Sequence, residues 1–480
     1  MIRALILAIV LGTTIGAMIY GRMQARARAR SLEEWALGGR RMGTLVFWFL
    51  NAGEIYTTFA VLGISGFAWA YGAPAYLAFC SVSLTAAVGY WLTPRIHSYG
   101  RTHALITQAD FFAHRYASRG LGVVVALAGL LALVVYVQIQ VTALAMVVQL
   151  AIGPAIGTGL AAGLAVAVML AFVFLAGLRS AAFAAGVKDV LMLVVVVVLA
   201  GSIASLVGAH SVMDVFARVQ DLYPQAVRFP GLRPQMGLDV TWLATSAINV
   251  AIGTYIFPHM FQLCYSAGGA DTIRRNAVWQ PLYSLSYFFI ILLGFAALLA
   301  ATHPAGDDPN ALLLTFVTQR CPPWLVGLFA GTAALLALVP GSVLLLTCGS
   351  IFARNVVRPL APAIDARTEL AVSRFSMIGF AAAALWLTLG ATRSLVEVGL
   401  SAYAAIGMLA PGAYLAFMTR RVSKWAVGAG LLAGFAVLWV PSLAAAAQRL
   451  FTHWEPGLIA LLVNLVVTLV AAALLRGKPA

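Results

Sequence analysis

The chain has 480 residues, of which 62% are hydrophobic and only 9% are Asp, Glu, Lys or Arg. A soluble chain carries about 25% charge, so a soluble enzyme, a disordered chain and a secreted disulfide scaffold are excluded. The surplus charge of +15 fits either a nucleic-acid binder or basic loops on one side of a bilayer, and its placement along the chain decides.

A bilayer-spanning helix needs about 20 apolar residues. Thirteen segments qualify, at 2–21, 45–71, 74–97, 121–150, 156–177, 182–208, 240–264, 280–302, 323–352, 372–391, 395–418, 425–447 and 457–475. They are too long and continuous for barrel strands, which alternate over about 10 residues. The first is followed by Arg22, Arg26, Arg28 and Arg30, which read as a stop-transfer flank rather than a signal-peptide cleavage region. Alternation from an outside N-terminus places 22 of the 30 Lys and Arg in inner segments, seven outside and Lys188 within a span. That bias predicts a multi-pass protein of a bacterial plasma membrane, with the N-terminus outside and the C-terminus cytoplasmic. The basic residues are spread over the inner segments and form no nucleic-acid-binding face. The stretch 98–120 is amphipathic and is expected to lie on the membrane surface. No loop is long enough for a domain, so 1–480 is expected to be one membrane domain. Cys80, Cys264, Cys321 and Cys348 have no ligand or framework spacing.

Two spans have interiors unlike a lipid-facing helix. The second carries Asn51-Ala52-Gly53-Glu54-Ile55-Tyr56-Thr57-Thr58, and the seventh carries Gly253-Thr254-Tyr255-Ile256-Phe257-Pro258-His259. Irregular backbone at this depth is tolerated only against protein or a water-filled cavity. The two lie five segments apart, and an odd offset inverts the second unit relative to the first. Interruptions paired in this way point to a transporter binding site; isolated packing kinks are the alternative.

Several short runs carry a family resemblance. They are Trp35-Ala36-Leu37-Gly38-Gly39-Arg40, Gly63-Ile64-Ser65-Gly66, Ala109-Asp110-Phe111-Phe112-Ala113-His114-Arg115-Tyr116 and Gly177-Leu178-Arg179-Ser180. The chain resembles the sodium/solute symporter family, and within it the monocarboxylate permease group. The latter rests on Glu54-Ile55-Tyr56-Thr57-Thr58, Tyr136-Val137-Gln138-Ile139-Gln140, Lys188-Asp189-Val190-Leu191-Met192, Phe257-Pro258-His259, Ile273-Arg274-Arg275-Asn276-Ala277 and Ala337-Leu338-Val339-Pro340. The resemblance implies an all-α polytopic LeuT-type fold. An extra N-terminal helix (1–21) precedes five-plus-five inverted repeats (45–208 and 240–418), and two C-terminal helices (425–475) follow.

The resemblance also implies a site. Sodium-using members hold an ion between carbonyls of the first broken helix, here Gly53 and Tyr56, and a pair of hydroxyls on the ninth span. This chain reads Leu338-Val339-Pro340 where that pair belongs. Ser342 is the nearest hydroxyl, and Pro340 frees a carbonyl nearby. The usual sodium site is therefore incomplete. Lys188 lies within the membrane where relatives commonly carry a hydroxyl residue, and its ammonium is expected either to replace the cation or to snorkel to the interface. Asp189 is turned about 100° from it along a helix. Glu54, Lys188 and Asp189 form the expected titrating set. For the substrate, the broken helices offer Tyr56, Thr57, Thr58, Tyr255 and His259, and the fourth span offers Tyr136 and Gln140, with Gln138 on another face. No Arg lies mid-membrane to clamp an anion.

The reading favoured by these residues is a symporter importing a small monocarboxylate such as pyruvate, lactate, acetate or propionate, expected to function as a monomer, with an oligomer as the alternative. Its coupling ion is a proton or sodium, and it has no prosthetic cofactor. A sensor on a transporter fold is the competing reading, disfavoured by the short tail after Leu475. Sodium-coupled uptake of an amino acid or pantothenate is a further one. No HExxH, paired GxSxG or metal-spaced His cluster supports an enzyme.

Overall fold

Backbone polar groups have no partner in hydrocarbon, so long apolar runs satisfy them internally as helix. The computed structural model describes residues 1–24, 31–153, 155–304, 308–390, 394–419 and 421–475, and its regular elements there are helices. In chain order these are α1 (Ile2–Gln24), α2 (Leu32–Leu37), α3 (Thr44–Ile55), α4 (Ile64–Tyr71), α5 (Leu77–Thr102), α6 (Gln108–Arg115), α7 (Arg119–Ile152), α8 (Thr158–Leu206), α9 (Val212–Leu222), α10 (Val240–Thr254), α11 (Pro258–Ser266), α12 (Ala270–Leu299), α13 (Leu312–Arg320), α14 (Pro323–Ile351), α15 (Arg358–Leu360), α16 (Ala366–Leu389), α17 (Leu395–Gly407), α18 (Ala410–Met418), α19 (Lys424–Trp439), α20 (Pro441–Leu450) and α21 (Pro456–Leu474). A π-helical turn, Phe59–Gly63, leads into α4.

Among the described residues, eight helices are long and apolar enough to cross a membrane, and four bent pairs bring the number to 12 if each is one span. The span expected at 156–177 falls on the shorter apolar helix Thr158–Phe174, which continues into the rest of α8 across a kink. The kink is at Gly177, whose φ of 59° and ψ of 177° suit only a residue without a Cβ. The span expected at 425–447 also differs. α19 and α20 are bent by 86° at Val440-Pro441, and none of the α20 residues is buried. Proline cannot continue the hydrogen-bond ladder, so α20 turns across the bundle end instead of prolonging α19.

The centre of the bundle is α14. Nearly all of its side chains are buried, and it packs against α1, α7, α8 and α16. Small residues permit the closest approaches, as in membrane bundles generally. A Cβ on Gly66 would meet the Pro309 carbonyl oxygen at 1.9 Å, and one on Gly294 would meet that of Ser65 at 2.3 Å.

The stretch 98–120 is exposed along one side, at Arg101–Ala104, His114, Arg119 and Gly120, and packed into the bundle along the other. Thr107 and Asp110 form a capping box at the start of α6, and Ala109, Phe111 and Phe112 are buried. Arg115 donates to the carbonyls of Ala416 and Thr419, and Tyr116 to that of Gly412. Asn355 donates to Asp110 at 2.8 Å and accepts from Thr107 at 2.7 Å. Arg354 reaches both Asp110 and Glu369, which also pairs with Arg358 at 2.7 Å. α6 thus bolts together the Arg-rich ends of α14, α16 and α18. Nearby, Trp35 lies against Gly177, and Arg179 donates to the Gly38 carbonyl at 2.9 Å, so two of the sequence motifs meet. Arg26, Arg28, Arg30, Arg393, Arg420, Arg476 and Lys478 of the charge count lie outside the described residues.

Candidate ion and substrate site

The two interruptions read from the sequence are real bends. α3 ends at Ile55 and the chain resumes helix at 44°, while α10 and α11 are bent by 47°. A helix C-terminus leaves carbonyls without intrahelical partners and carries partial negative charge. At the end of α3, the Gly53 and Tyr56 carbonyls point at Lys188.

Lys188 stands 11 residues beyond the Gly177 kink (188 − 177), about 16 Å along α8 at 1.5 Å per residue. It does not snorkel. Its side chain is fully buried, and Nζ donates to the Gly53 oxygen at 2.7 Å and the Tyr56 oxygen at 2.9 Å. Asp189 Oδ1 lies 3.0 Å from the same nitrogen. Two carbonyls accept from the ammonium, and the nearby carboxylate supplies the opposite charge that a buried ion requires. Asp189 is therefore a partner despite its position on the helix, because the Lys side chain folds back along α8. Tyr283 donates to Asp189 Oδ2 at 3.5 Å.

The ninth span contributes nothing to this shell. α14 runs unbroken through Pro340, and the Ser342 hydroxyl donates to the Val339 carbonyl at 2.6 Å. Pro340 and Ser342, expected to help hold the ion, instead serve their own helix. Val339 and Pro340 carry no side-chain oxygen, and the ammonium needs none from them.

On the other side of the break lies a second group. Thr58 donates to Gln140 Oε1 at 3.0 Å, and the Thr57 hydroxyl accepts from the Phe59 amide at 3.2 Å. The Tyr136 ring stacks on His259 at 5.9 Å, and His259 Nε2 is 4.0 Å from Glu54 Oε2. Tyr56 packs between Tyr283 and Tyr287, at 4.7 and 5.0 Å. Glu54, Tyr56, Gln140 and His259 are buried, and the Tyr56 hydroxyl hydrogen-bonds Ser286, yet Glu54 Oε2, Gln140 Nε2 and His259 Nδ1 find no partner among the described residues. Buried polar atoms are normally satisfied, so three orphans beside two helix breaks make this the candidate place for a polar solute.

Tyr255 is not among them. Its hydroxyl donates to Gln280 at 2.7 Å, and its ring lies against Gly89 of α5. Gln138 faces α16, donating to Leu387. Sequence reasoning missed a third bend, of 44°, between α17 and α18. Gly407 and Pro411 were its signals. Asn464 of α21 donates to the freed Met408 carbonyl at 2.7 Å, and Tyr403 of α17 packs edge-on against Phe257 at 4.9 Å. Tyr283 and Tyr287 were also missed, since aromatic residues in a long apolar helix give no pattern.

The family model for the sodium:solute symporter family matches residues 35–434. The chain belongs to the sodium:solute symporter family. This symporter is 31% identical to the uncharacterized symporter YhjB of Bacillus subtilis, over 98% of its own length and 97% of that protein. It is 26% identical to a monocarboxylate transport permease protein of Rhizobium johnstonii, over 97% and 95% of the two chains. Among solved structures it resembles a substrate-bound, outward-open Na+-coupled sialic acid symporter, with a TM-score of 0.81, 12% identity and 100% and 99% coverage. The symporter is thus a multi-pass membrane transporter of the LeuT type, a solute carrier rather than an enzyme.

Proposed function

We propose that the symporter imports a small monocarboxylate across a bacterial plasma membrane, driven by a proton gradient and without sodium. The observation that carries this reading is Lys188 Nζ on the Gly53 and Tyr56 carbonyls. These are the oxygens that sodium-using relatives are expected to offer their ion. A resident ammonium supplies the positive charge that sodium would bring, and with Asp189 beside it the locus is electrically complete.

The solute sits at the three orphan atoms, walled by Tyr56, Thr57, Thr58, Tyr136, Gln140 and His259. The start of α11 adds free backbone N–H groups and positive dipole, which suit an anion. The name of the Rhizobium relative supports a monocarboxylate. Residues 45–208 and 240–418 act as inverted repeats that rock about this site, exposing it to each side in turn. The N-terminus lies outside and the C-terminus in the cytoplasm, so the α6 latch closes the inner side. Uptake of labelled pyruvate, lactate, acetate and propionate into proteoliposomes tests the reading. Accumulation driven by an inside-alkaline gradient in sodium-free buffer is expected for at least one of them, and accumulation that needs sodium contradicts it.

A further inference from the structure

We infer that the transported proton rides on Glu54, paired with His259, and that the substrate anion is held only while Glu54 is protonated; Lys188 stays charged throughout. This rests on the proton-coupled monocarboxylate reading and names the group that does the coupling.

Lys188 is a poor carrier on geometric grounds. Two of its donors are held by the helix-end carbonyls, and its charge is balanced by Asp189 at 3.0 Å. Loss of its proton would strand a buried carboxylate and leave two helix-end carbonyls short of a donor. Such losses are severe because the remaining charge stays buried and uncompensated. The pair is a fixed replacement for an ion, complete in itself.

Glu54 is the opposite case. It is 2% exposed, and its Oε2 accepts from no donor in the protein. The ionisable groups around it come from the packed elements: His259 of α11 at 4.0 Å, Lys188 and Asp189 of α8, and Tyr136 of α7. Tyr283 and Tyr287 of α12 enclose the neighbouring Tyr56. The one cation in this set is already matched by Asp189, so Glu54 has no counter-ion of its own.

The orphan atoms define what the site asks of a ligand. Gln140 Nε2 is a donor, and His259 Nδ1 is a donor in one tautomer. Glu54 Oε2 is a donor only in the acid form. With a proton on Glu54, a carboxylate solute meets three donors. Without it, the same solute meets two donors and a like charge in a water-poor site, where such repulsion is strong. The anion and the proton therefore bind together or not at all.

The balance of each cycle is simple. A proton from outside joins the Glu54 carboxylate and makes a carboxylic acid, whose O–H donates to the solute carboxylate. After the inner side opens, the anion leaves with its charge unchanged and the acid returns its proton to the cytoplasm. One proton and one anion cross, with no net charge moved.

Glu54→Gln tests this, because the amide donates permanently, as the acid does, but cannot release a proton. In proteoliposomes holding the full chain, the wild type is first assayed for counterflow of labelled pyruvate, lactate, acetate and propionate. Failure of all four ends the monocarboxylate reading itself. For the solute that exchanges, Glu54→Gln is expected to keep counterflow, to lose its pH dependence, and to lose accumulation driven by an inside-alkaline gradient. Accumulation that survives in Glu54→Gln overturns the inference and leaves the parent reading standing. Loss of counterflow in a monodisperse Glu54→Gln protein also overturns it, since the mimic of the protonated acid would then not bind. Should the amide fail to fold, Glu54→Asp keeps an ionisable group and is expected to retain pH-driven accumulation with a shifted pH profile. Counterflow without pH-driven accumulation in that variant counts against the inference.

Discussion

Lys188 and Asp189 neighbour each other in sequence and share one buried charge balance. Removing the ammonium alone, as in Lys188→Met, leaves a carboxylate uncompensated and is expected to destabilise the protein by about 3–5 kcal/mol. Unfolding in detergent, followed by tryptophan fluorescence, measures this. Lys188→Met with Asp189→Asn should be less destabilised than the sum of the single changes, because residues in contact couple; simple additivity contradicts the pairing. Lys188→Arg should not rescue, since a planar fork does not reproduce a compact three-donor ammonium. At this scale the sequence was readable in parts. The lysine's depth predicted that it would meet polar groups within the bundle, as it does at Gly53 and Tyr56. The reach of the Lys side chain back to Asp189 did not follow from helical spacing, nor did the turn of Tyr255 toward Gln280, because side-chain direction depends on neighbours from other helices.

The breaks at Tyr56–Thr58 and Tyr255–Phe257 were legible because polar residues and a proline interrupt apolar runs. The bend at Met408-Leu409 was marked only by Gly407 and Pro411 within an apolar run, and the donor to its freed carbonyl comes from Asn464, far along the chain. Asn464→Leu removes the donor to the Met408 carbonyl and should cost about 1–3 kcal/mol, the penalty for a buried unsatisfied group; a thermal-stability change near zero contradicts that role. Gly66→Ala tests the closest helix contact. Its Cβ would meet a backbone oxygen at 1.9 Å, and backbone does not rotate aside. Loss of monodisperse protein is expected, or destabilisation of about 1–3 kcal/mol or more, and a well-behaved wild-type-like variant contradicts the packing. The amphipathic pattern of 98–120 was visible, but not its burial. Periodicity reports a sided helix and does not say whether lipid headgroups or other helices cover the apolar side.

For the whole molecule, the +15 surplus reads as topology. A C-terminal fluorescent reporter should glow and a C-terminal alkaline phosphatase should be inactive in intact cells; the reverse would invert the assignment and place the α6 latch outside. A multi-pass transporter was readable from the apolar segments and the two spaced interruptions, whereas the LeuT-type architecture was implied only by the family resemblance of short runs such as Trp35–Arg40 and Ala109–Tyr116. The family description speaks of sodium, whereas the Gly53 and Tyr56 carbonyls, the ion locus proposed for this member, are met by its own Lys188. That contrast is the central claim, and uptake under imposed gradients tests it most directly. Proteoliposomes are given, in separate arms, an inward sodium gradient at equal pH and an inside-alkaline gradient without sodium. The account predicts accumulation of a short monocarboxylate in the proton arm and none in the sodium arm. Accumulation in the sodium arm, with none in the proton arm, would contradict it.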